Sequence, residues 1–314
     1  MEWYHVLLII LGSLMLLAGL LYLIAGVLVW KMCIPTAPVE SYRNKPSDDP
    51  IENDITEYKI KELERIKALP MEDIWIKSKD GLNLHAFYKE APSKTDKVII
   101  SVHGYHGDAL DTTPLFSSFL LDYNYNILCI DLRSYGQSEG KYTTYGVKDH
   151  VDLLDWINYL KERFDNKVSI ALFGISMGGN TVLMTSDKVP QEVKCIIDDC
   201  GYTTPIDEFK ACLRAMKLPE FFVYSGEFIN LIICHWHFRW SAPKCLAKAK
   251  VPILFIHGEE DEFVPTYMAK ENYDACVSKK ELKYFSGKGH ARSYYYHKEE
   301  YKNLVLDFLV HNLW

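Results

Sequence analysis

The chain has 314 residues, and its hydrophobic content of 48% is enough for a sizeable core, which excludes disorder throughout. Its 42 acidic and 35 basic residues give a net charge of -7, and no basic block could follow a phosphate backbone, so we expect no nucleic-acid partner. The 8 cysteines form no C-x-x-C pairs and no His/Cys ligand spacing, which predicts buried free thiols and excludes a typical zinc site.

Residues 6–30, VLLIILGSLMLLAGLLYLIAGVLVW, are uncharged and exceed the ~20 residues that span a bilayer as a helix. The stretch has no basic segment before it and is longer than the apolar part of a signal peptide. We therefore predict a single-pass cell-membrane anchor over residues 1–31 that contacts the bilayer through residues 6–30. Lys31, Arg43 and Lys45 follow it, so the positive-inside tendency favours a cytoplasmic catalytic domain, as do the free thiols.

Residues 32–72 separate this anchor from the main domain. Residues 35–50 are polar and contain four prolines, which is typical of a linker. Residues 51–69 carry a partly apolar face with helical spacing. This pattern predicts an amphipathic helix that packs on the following domain.

Residues 73–314 alternate strand and helix patterns. The segment opens with two alternating runs around Asp80 and Gly81, which indicates a hairpin. Six buried strands are predicted at residues 97–103, 125–131, 168–173, 193–198, 251–257 and 281–285, with helices at 147–164, 177–188 and 266–277. This alternation predicts an α/β fold with a mostly parallel, doubly wound sheet, whose chemistry gathers at the carboxyl ends of the strands.

One interval, residues 201–246, lacks a buried-strand pattern and is rich in large apolar side chains. It predicts two or three helices that form a small cap at about residues 202–246 and line an apolar pocket. Ordinary core helices are the alternative.

The sequence GISMG centres on Ser176, between an apolar strand pattern and a helical stretch. A serine hydroxyl becomes a useful nucleophile when a sharp turn exposes it beside a base and oxyanion donors. The glycines at 174 and 178 leave room for backbone at that turn. Ser176 is therefore the predicted nucleophile.

A base and an acid follow later strands. His290 comes after a glycine-rich loop that could return it to Ser176, so it is the predicted base. Asp261 lies in the loop that follows another strand and is the predicted acid. Asp198 and Asp199 are rival acids, but Asp261 fits the order serine, acid, histidine that is typical of this motif.

The oxyanion donors are predicted to be the backbone amides of Tyr105 and Met177. Gly104 would let the first of these amides turn into the site. We expect His103 to shape that turn by hydrogen bonding, whereas the role of His106 stays open.

Other polar residues carry weaker signals. Asp131 and Arg133 are expected to brace strand-end loops by charge-assisted hydrogen bonds. His235 and His237 could suggest a metal pair, but no carboxylate or cysteine nearby completes a ligand set, so no metal and no cofactor is predicted. Glu227 and the other acidic residues of the cap could bind a terminal amine or be plain surface charge.

Five motifs, HGYHG, DLRSYGQSEG, GISMGG, HGEEDEFVP and GKGH, occur in this order between about residues 73 and 314. With them the chain resembles the α/β-hydrolase superfamily, and within it the serine-aminopeptidase-like and monoacylglycerol-lipase-like hydrolases, especially small bacterial members with a membrane anchor. The resemblance implies the same triad and the same oxyanion amides. Ser134 stands where the family's loop usually has glycine.

The family does not fix the substrate. An aromatic cap and a membrane anchor favour a serine hydrolase that cleaves a carboxylic ester with a hydrophobic acyl or aryl part, through an acyl-enzyme on Ser176. A serine aminopeptidase, an amidase or a thioesterase of the same fold is the alternative. A non-catalytic binding protein on this fold is a third possibility, and the oligomeric state is left open.

Overall fold

The computed structural model describes residues 2–35, 50–112 and 118–313. The predicted linker falls almost wholly outside them, as do Arg43 and Lys45. The described residues form eight strands: β1 (Glu72–Lys77), β2 (Asn83–Lys89), β3 (Lys97–Val102), β4 (Asn126–Ile130), β5 (Ser169–Ile175), β6 (Val193–Asp199), β7 (Ile253–Glu260) and β8 (Lys280–Lys288).

These strands form one sheet in the order β1-β2-β4-β3-β5-β6-β7-β8. The hairpin β1–β2 and the pair β2–β4 are antiparallel, and the remaining neighbours from β4 to β8 are parallel. Gly81 lies at the hairpin turn with a φ of 92°, a conformation open to glycine. The predicted mostly parallel sheet is confirmed.

The helices of the described chain are α1 (Trp3–Cys33), α2 (Pro50–Lys67), α3 (Ala109–Thr112), α4 (Asp149–Arg163), α5 (Met177–Thr185), α6 (Pro205–Ala215), α7 (Phe222–Cys234), α8 (Ala242–Leu246), α9 (Tyr267–Ala275), α10 (Ser293–Tyr296) and α11 (Lys298–Leu313). A short 3-10 helix covers Ser118–Asp122. Helices α6 to α8 occupy the interval between β6 and β7 that lacks a strand pattern.

Both faces of the sheet are covered by helices. In β3, Val98, Ile100 and Val102 belong to the core on one face, together with side chains of α4, α5 and α9. Ile99 points to the other face, where side chains of α2 and α11 pack. A strand buried on both sides reads as a continuous apolar run, which is the pattern that the sequence shows.

Helix α1 is long and apolar enough to cross a membrane, judged by its length and composition. Most of it is exposed, but Val29 and Trp30 near its end are buried. Ile34, directly after the helix, is fully buried. The end of the apolar helix is therefore part of the folded domain.

Candidate active site

The turn from β5 to α5 holds Ser176 in a strained conformation, with a φ of 54° and a ψ of -115°. The two motif glycines meet backbone at close range. A side chain at Gly174 would place its first carbon 2.7 Å from the nitrogen of Gly179, and one at Gly178 would lie 2.6 Å from the carbonyl oxygen of His103. Only glycine fits these two positions without moving the backbone.

Three side chains from three strand ends meet at this turn. The Oγ of Ser176 lies 2.7 Å from the Nε2 of His290, which follows β8. The Nδ1 of His290 lies 2.7 Å from the Oδ2 of Asp261, which follows β7. The structure thus brings together the three residues that the sequence singles out, in the order nucleophile, base and acid that acyl transfer requires.

Asp261 is held from two sides. Its Oδ1 accepts the amides of Phe263 and Val264, each at 3.0 Å. Burial by itself raises the pKa of Asp261, but the hydrogen bond and charge of His290, with a smaller contribution from His257, outweigh burial and lower that pKa below its ordinary value. The carboxylate therefore stays charged and fixes the imidazole with its Nδ1 proton toward the acid.

The two rival acids have other partners. Asp199 accepts a hydrogen bond from the hydroxyl of Tyr301 at 2.7 Å, and burial raises its pKa to about 6. Asp198 accepts the amide of Gly201 at 3.0 Å. Asp199 thus ties the end of β6 to α11, and Asp198 holds the loop that follows β6.

Tyr105 and Met177 line the same cavity as Ser176. Met177 is the first residue of α5, where helix geometry offers its amide no acceptor within the helix. Gly104 brings its loop close to the nucleophile, because a side chain there would lie 3.3 Å from the carbonyl oxygen of Ile175. Both predicted amides thus belong to segments that border the serine.

His103 is fully buried and shapes the turn after β3. Its Nδ1 donates to the carbonyl oxygen of Gly104 at 2.7 Å, and its Nε2 accepts the amide of Leu132 at 3.0 Å. Both ring nitrogens are therefore used in loop contacts. His106 is half-buried, and burial lowers its pKa to about 4.

The loop after β4 is braced as its charges suggest. Asp131 binds His85 at 2.7 Å. Arg133 pairs with Asp152, with distances of 2.6 and 2.7 Å. Ser134 adopts a φ of 69°, a conformation that favours glycine, which explains why glycine is usual at this position. The hydroxyl of Ser134 donates to the carbonyl oxygen of Tyr142 at 3.0 Å.

A cavity of 440 Å³ opens beside Ser176 and is mostly apolar. Its wall includes Tyr145, Tyr202, Phe209, Met216 and Phe263. The sequence did not predict that Met32 and Cys33, the end of α1, also line it. No local pattern signals this contact, because the two segments are far apart in the chain.

Glu208 is a second residue of this wall that sequence reasoning did not single out among the acidic residues of the cap. It is 3% exposed, its Oε1 accepts the thiol of Cys212 at 3.5 Å, and its Oε2 has no partner in the described part of the chain. Burial raises its pKa to about 8. The sequence signal that could have revealed this buried carboxyl is a single acid on the apolar side of α6. Glu227, weighed as an amine site, pairs with Arg239 at 2.9 Å and is not part of the cavity wall.

Ligand-type atoms of Cys200, Asp261 and His290 lie within 4.8 Å of one another. Two of these residues, Asp261 and His290, already contact each other, and His290 contacts Ser176 in turn. Burial also raises the pKa of the Cys200 thiol well above its usual range, which disfavours the thiolate that a metal needs. This cluster therefore fits a proton-transfer site better than a metal site.

Comparisons with known proteins agree with this fold. The family model described as alpha/beta hydrolase fold matches residues 97–223. YqkD of Bacillus subtilis is 29% identical over 71% of this chain and 74% of its own length, and a Saccharomyces cerevisiae protein named as a membrane protein is 23% identical over 78% and 81%. The solved structure of a Pyrococcus furiosus esterase superposes with a TM-score of 0.63 at 26% identity, over 80% of this chain and 96% of that one. The chain has the α/β-hydrolase fold.

Proposed function

We propose that the protein is a membrane-anchored serine hydrolase that cleaves a carboxylic ester with a hydrophobic acyl or aryl part. One observation carries this proposal: two contacts of 2.7 Å link the Oγ of Ser176 through His290 to Asp261. The similarity to an esterase structure supports the reaction class.

In this mechanism the Nε2 of His290 accepts the hydroxyl proton as the Oγ of Ser176 attacks the ester carbonyl. Asp261 stabilises the imidazolium that forms. The amides of Tyr105 and Met177 bind the oxyanion of the tetrahedral intermediate. His290 then gives its proton to the leaving alcohol, and the acyl group stays on Ser176. In the second half of the reaction His290 takes a proton from water, the resulting hydroxide attacks the acyl group, and His290 returns the proton to the Oγ of Ser176 as the acid leaves.

The cavity wall favours an ester over the substrate of an aminopeptidase. An aminopeptidase needs a negative charge that binds the terminal ammonium group. Two acids line this wall: Glu208 is buried, with a pKa raised to about 8, so that it is mostly neutral at pH 7, and Glu262 is exposed, so that water screens its charge. The aromatic and aliphatic side chains beside Glu208 suit a hydrophobic acyl or aryl group.

Helix α1 is proposed to hold the domain at the cell membrane as a single span, with the domain on the cytoplasmic side. Its length and apolar composition support the span. All 8 cysteines are free thiols, which supports a reducing compartment.

A fluorophosphonate probe tests the nucleophile. We expect the probe to label the folded wild-type protein in detergent and to leave Ser176→Ala unlabelled, because only an activated serine reacts with it. Hydrolysis of a short-chain p-nitrophenyl ester should fall to background in the same variant. Labelling is measured by in-gel fluorescence and turnover by absorbance.

Ser286→Ala is the matched control, since Ser286 is exposed on β8 and its hydroxyl contacts His297, not the triad. It should be labelled like the wild type. Equal labelling of Ser176→Ala, or a folded wild-type protein that neither reacts nor turns over ester, would contradict the proposal and favour the binding-protein alternative.

A further inference from the structure

Helix α7 lies along the last third of α1. The hydroxyl of Tyr22 donates to the carbonyl oxygen of Phe221 at 3.2 Å, and the hydroxyl of Ser225 donates to the carbonyl oxygen of Tyr22 at 2.6 Å. Further along both helices, Val29 packs against Gly226. The start of α7 is thus placed beside Tyr22, well before the end of α1.

This position gives α7 a depth in the bilayer. A hydrocarbon core of ~30 Å takes up roughly 20 helical residues at 1.5 Å each. Counted from Val6, the first residue of the uncharged stretch, those residues end near Ala25. Exposed Trp3 and Tyr4 then lie at the far interface, where such side chains are enriched. Tyr22, and with it the start of α7, lies about 5 Å inside the hydrocarbon boundary.

The outer face of α7 matches such an environment. Phe221, Tyr224, Phe228 and Ile232 follow helical spacing on one face and are between 43% and 57% exposed. The helix Phe222–Cys234 is strongly apolar, and its one charged residue, Glu227, is buried against Arg239. A continuous apolar face of this kind on a folded domain marks an interaction surface.

The charges next to α7 limit how deep this surface goes. Lys217 and Glu220 lie in the loop before the helix, and Glu220 pairs with Arg214 in the last turn of α6. Long basic side chains can reach the headgroups from a position just inside the hydrocarbon. The charges therefore fit an insertion at the boundary between headgroups and acyl chains, not a second span.

We propose that the exposed face of α7 is inserted into the same bilayer leaflet as the end of α1, with lipid acyl chains as its partner. Met32 of α1 and Met216, in the loop before α7, both line the cavity of Ser176. The substrate is then an acyl ester that is dissolved in the bilayer and enters the cavity from the lipid side, a substrate class that rests on the proposed hydrolase function.

Photo-crosslinking tests the insertion. The full-length protein is placed in phosphatidylcholine nanodiscs that contain a lipid with a diazirine on its acyl chain, and lipid adducts are mapped by mass spectrometry after illumination. We expect adducts in residues 221–234 as well as in residues 3–25. Adducts in residues 3–25 with none in residues 221–234 would overturn the inference.

Turnover tests the entry route. Two turnover rates are compared: that of p-nitrophenyl palmitate held in vesicles and that of p-nitrophenyl acetate in water. The double variant Phe221→Ser, Phe228→Ser should lower the ratio of the first rate to the second about tenfold. Val277→Ser, which removes an exposed apolar side chain elsewhere, should leave the ratio unchanged. An unchanged ratio in the double variant would overturn the route from the lipid side. If the wild type cleaves neither ester, the proposed hydrolase function fails, while the adduct map still decides the insertion.

Discussion

Ser176 pairs a left-handed backbone with near-complete burial, at 8% exposure. A non-glycine residue in this region of backbone space is costly and persists only where its surroundings enforce it. Here the amide of Ser176 donates to the carbonyl oxygen of Asp199 at 2.7 Å, and its carbonyl accepts the amide of Asn180 at 2.9 Å. The fold thus fixes the backbone that carries the hydroxyl beside His290.

Substitutions of Asp261 and Asp199, the two buried acids near His290, should differ in their effect on turnover. We expect Asp261→Asn to lower kcat for a p-nitrophenyl ester by about 10³- to 10⁴-fold, because the amide no longer fixes the imidazole or stabilises its charge. Asp199→Asn should cost less than about tenfold, since an amide oxygen can still accept from Tyr301. A larger loss in Asp199→Asn than in Asp261→Asn would reverse the assignment of the acid.

Glu208 should make stability depend on pH. Its pKa rises from 4.5 to about 8 on folding, because burial disfavours the carboxylate. Below pH 4.5 the carboxyl is neutral in both states; between pH 4.5 and 8 the unfolded chain loses a proton that the folded chain keeps, so stability falls as pH rises. Glu208→Gln should therefore raise Tm at pH 8 and change it little at pH 4.5.

Thermal unfolding at pH 4.5, 6 and 8 measures this difference. Glu262→Gln is the control, because Glu262 borders the same cavity but is exposed. It should leave the dependence of Tm on pH as it is in the wild type. Parallel pH profiles for Glu208→Gln and the wild type would show that Glu208 is not buried as described.

At the scale of elements, the contact between α1 and α7 depends on small residues. A side chain at Gly26 would lie 2.7 Å from the carbonyl carbon of Ser225. Gly226 on the facing helix leaves room for Val29. Close approach of two helix backbones at small residues is a common way of packing apolar helices without a hydrophobic driving force between them.

Gly26→Leu should therefore separate the two helices. We expect a cost of about 1–3 kcal/mol from overpacking, read as a lower Tm in detergent, together with reduced ester turnover because the cavity wall moves. Gly19→Leu adds the same side chain to the same helix where nothing lies within 4 Å, so both quantities should stay near wild type. Equal effects of the two substitutions would mean that α7 does not pack at Gly26.

At the scale of the whole molecule, most of the architecture follows from the order of local patterns. Continuous apolar runs predicted the strands β3 to β7, because a strand covered on both faces is apolar at most positions, whereas β8 lies at the edge of the sheet and has a mixed pattern. The motif around Ser176, and the strand ends before Asp261 and His290, predicted where the polar side chains gather. A parallel sheet places those ends along one edge, which explains why residues so distant in sequence meet.

The contacts of helix α1 could not be predicted in this way. The hydroxyl of Tyr145 donates to the carbonyl oxygen of Cys33 at 2.7 Å across 112 positions of the chain. The local sequence around each of these two residues carries no sign of the other. An uncharged helix near the start of a chain predicts a span and nothing about its neighbours. Glu208 was missed for a related reason, since its burial depends on how α6 sits over the sheet.

The hydrogen bonds to Cys33 have a mechanical consequence. Its carbonyl at the end of α1 accepts from both Tyr145 and Tyr105, at 2.7 and 3.4 Å. A spanning helix adapts to a thinner or thicker membrane by changing its tilt. Because these two tyrosines also border the cavity, a change of tilt would be transmitted to the walls beside Ser176. We expect the catalytic rate to depend on lipid chain length, so that membrane thickness itself acts as an effector.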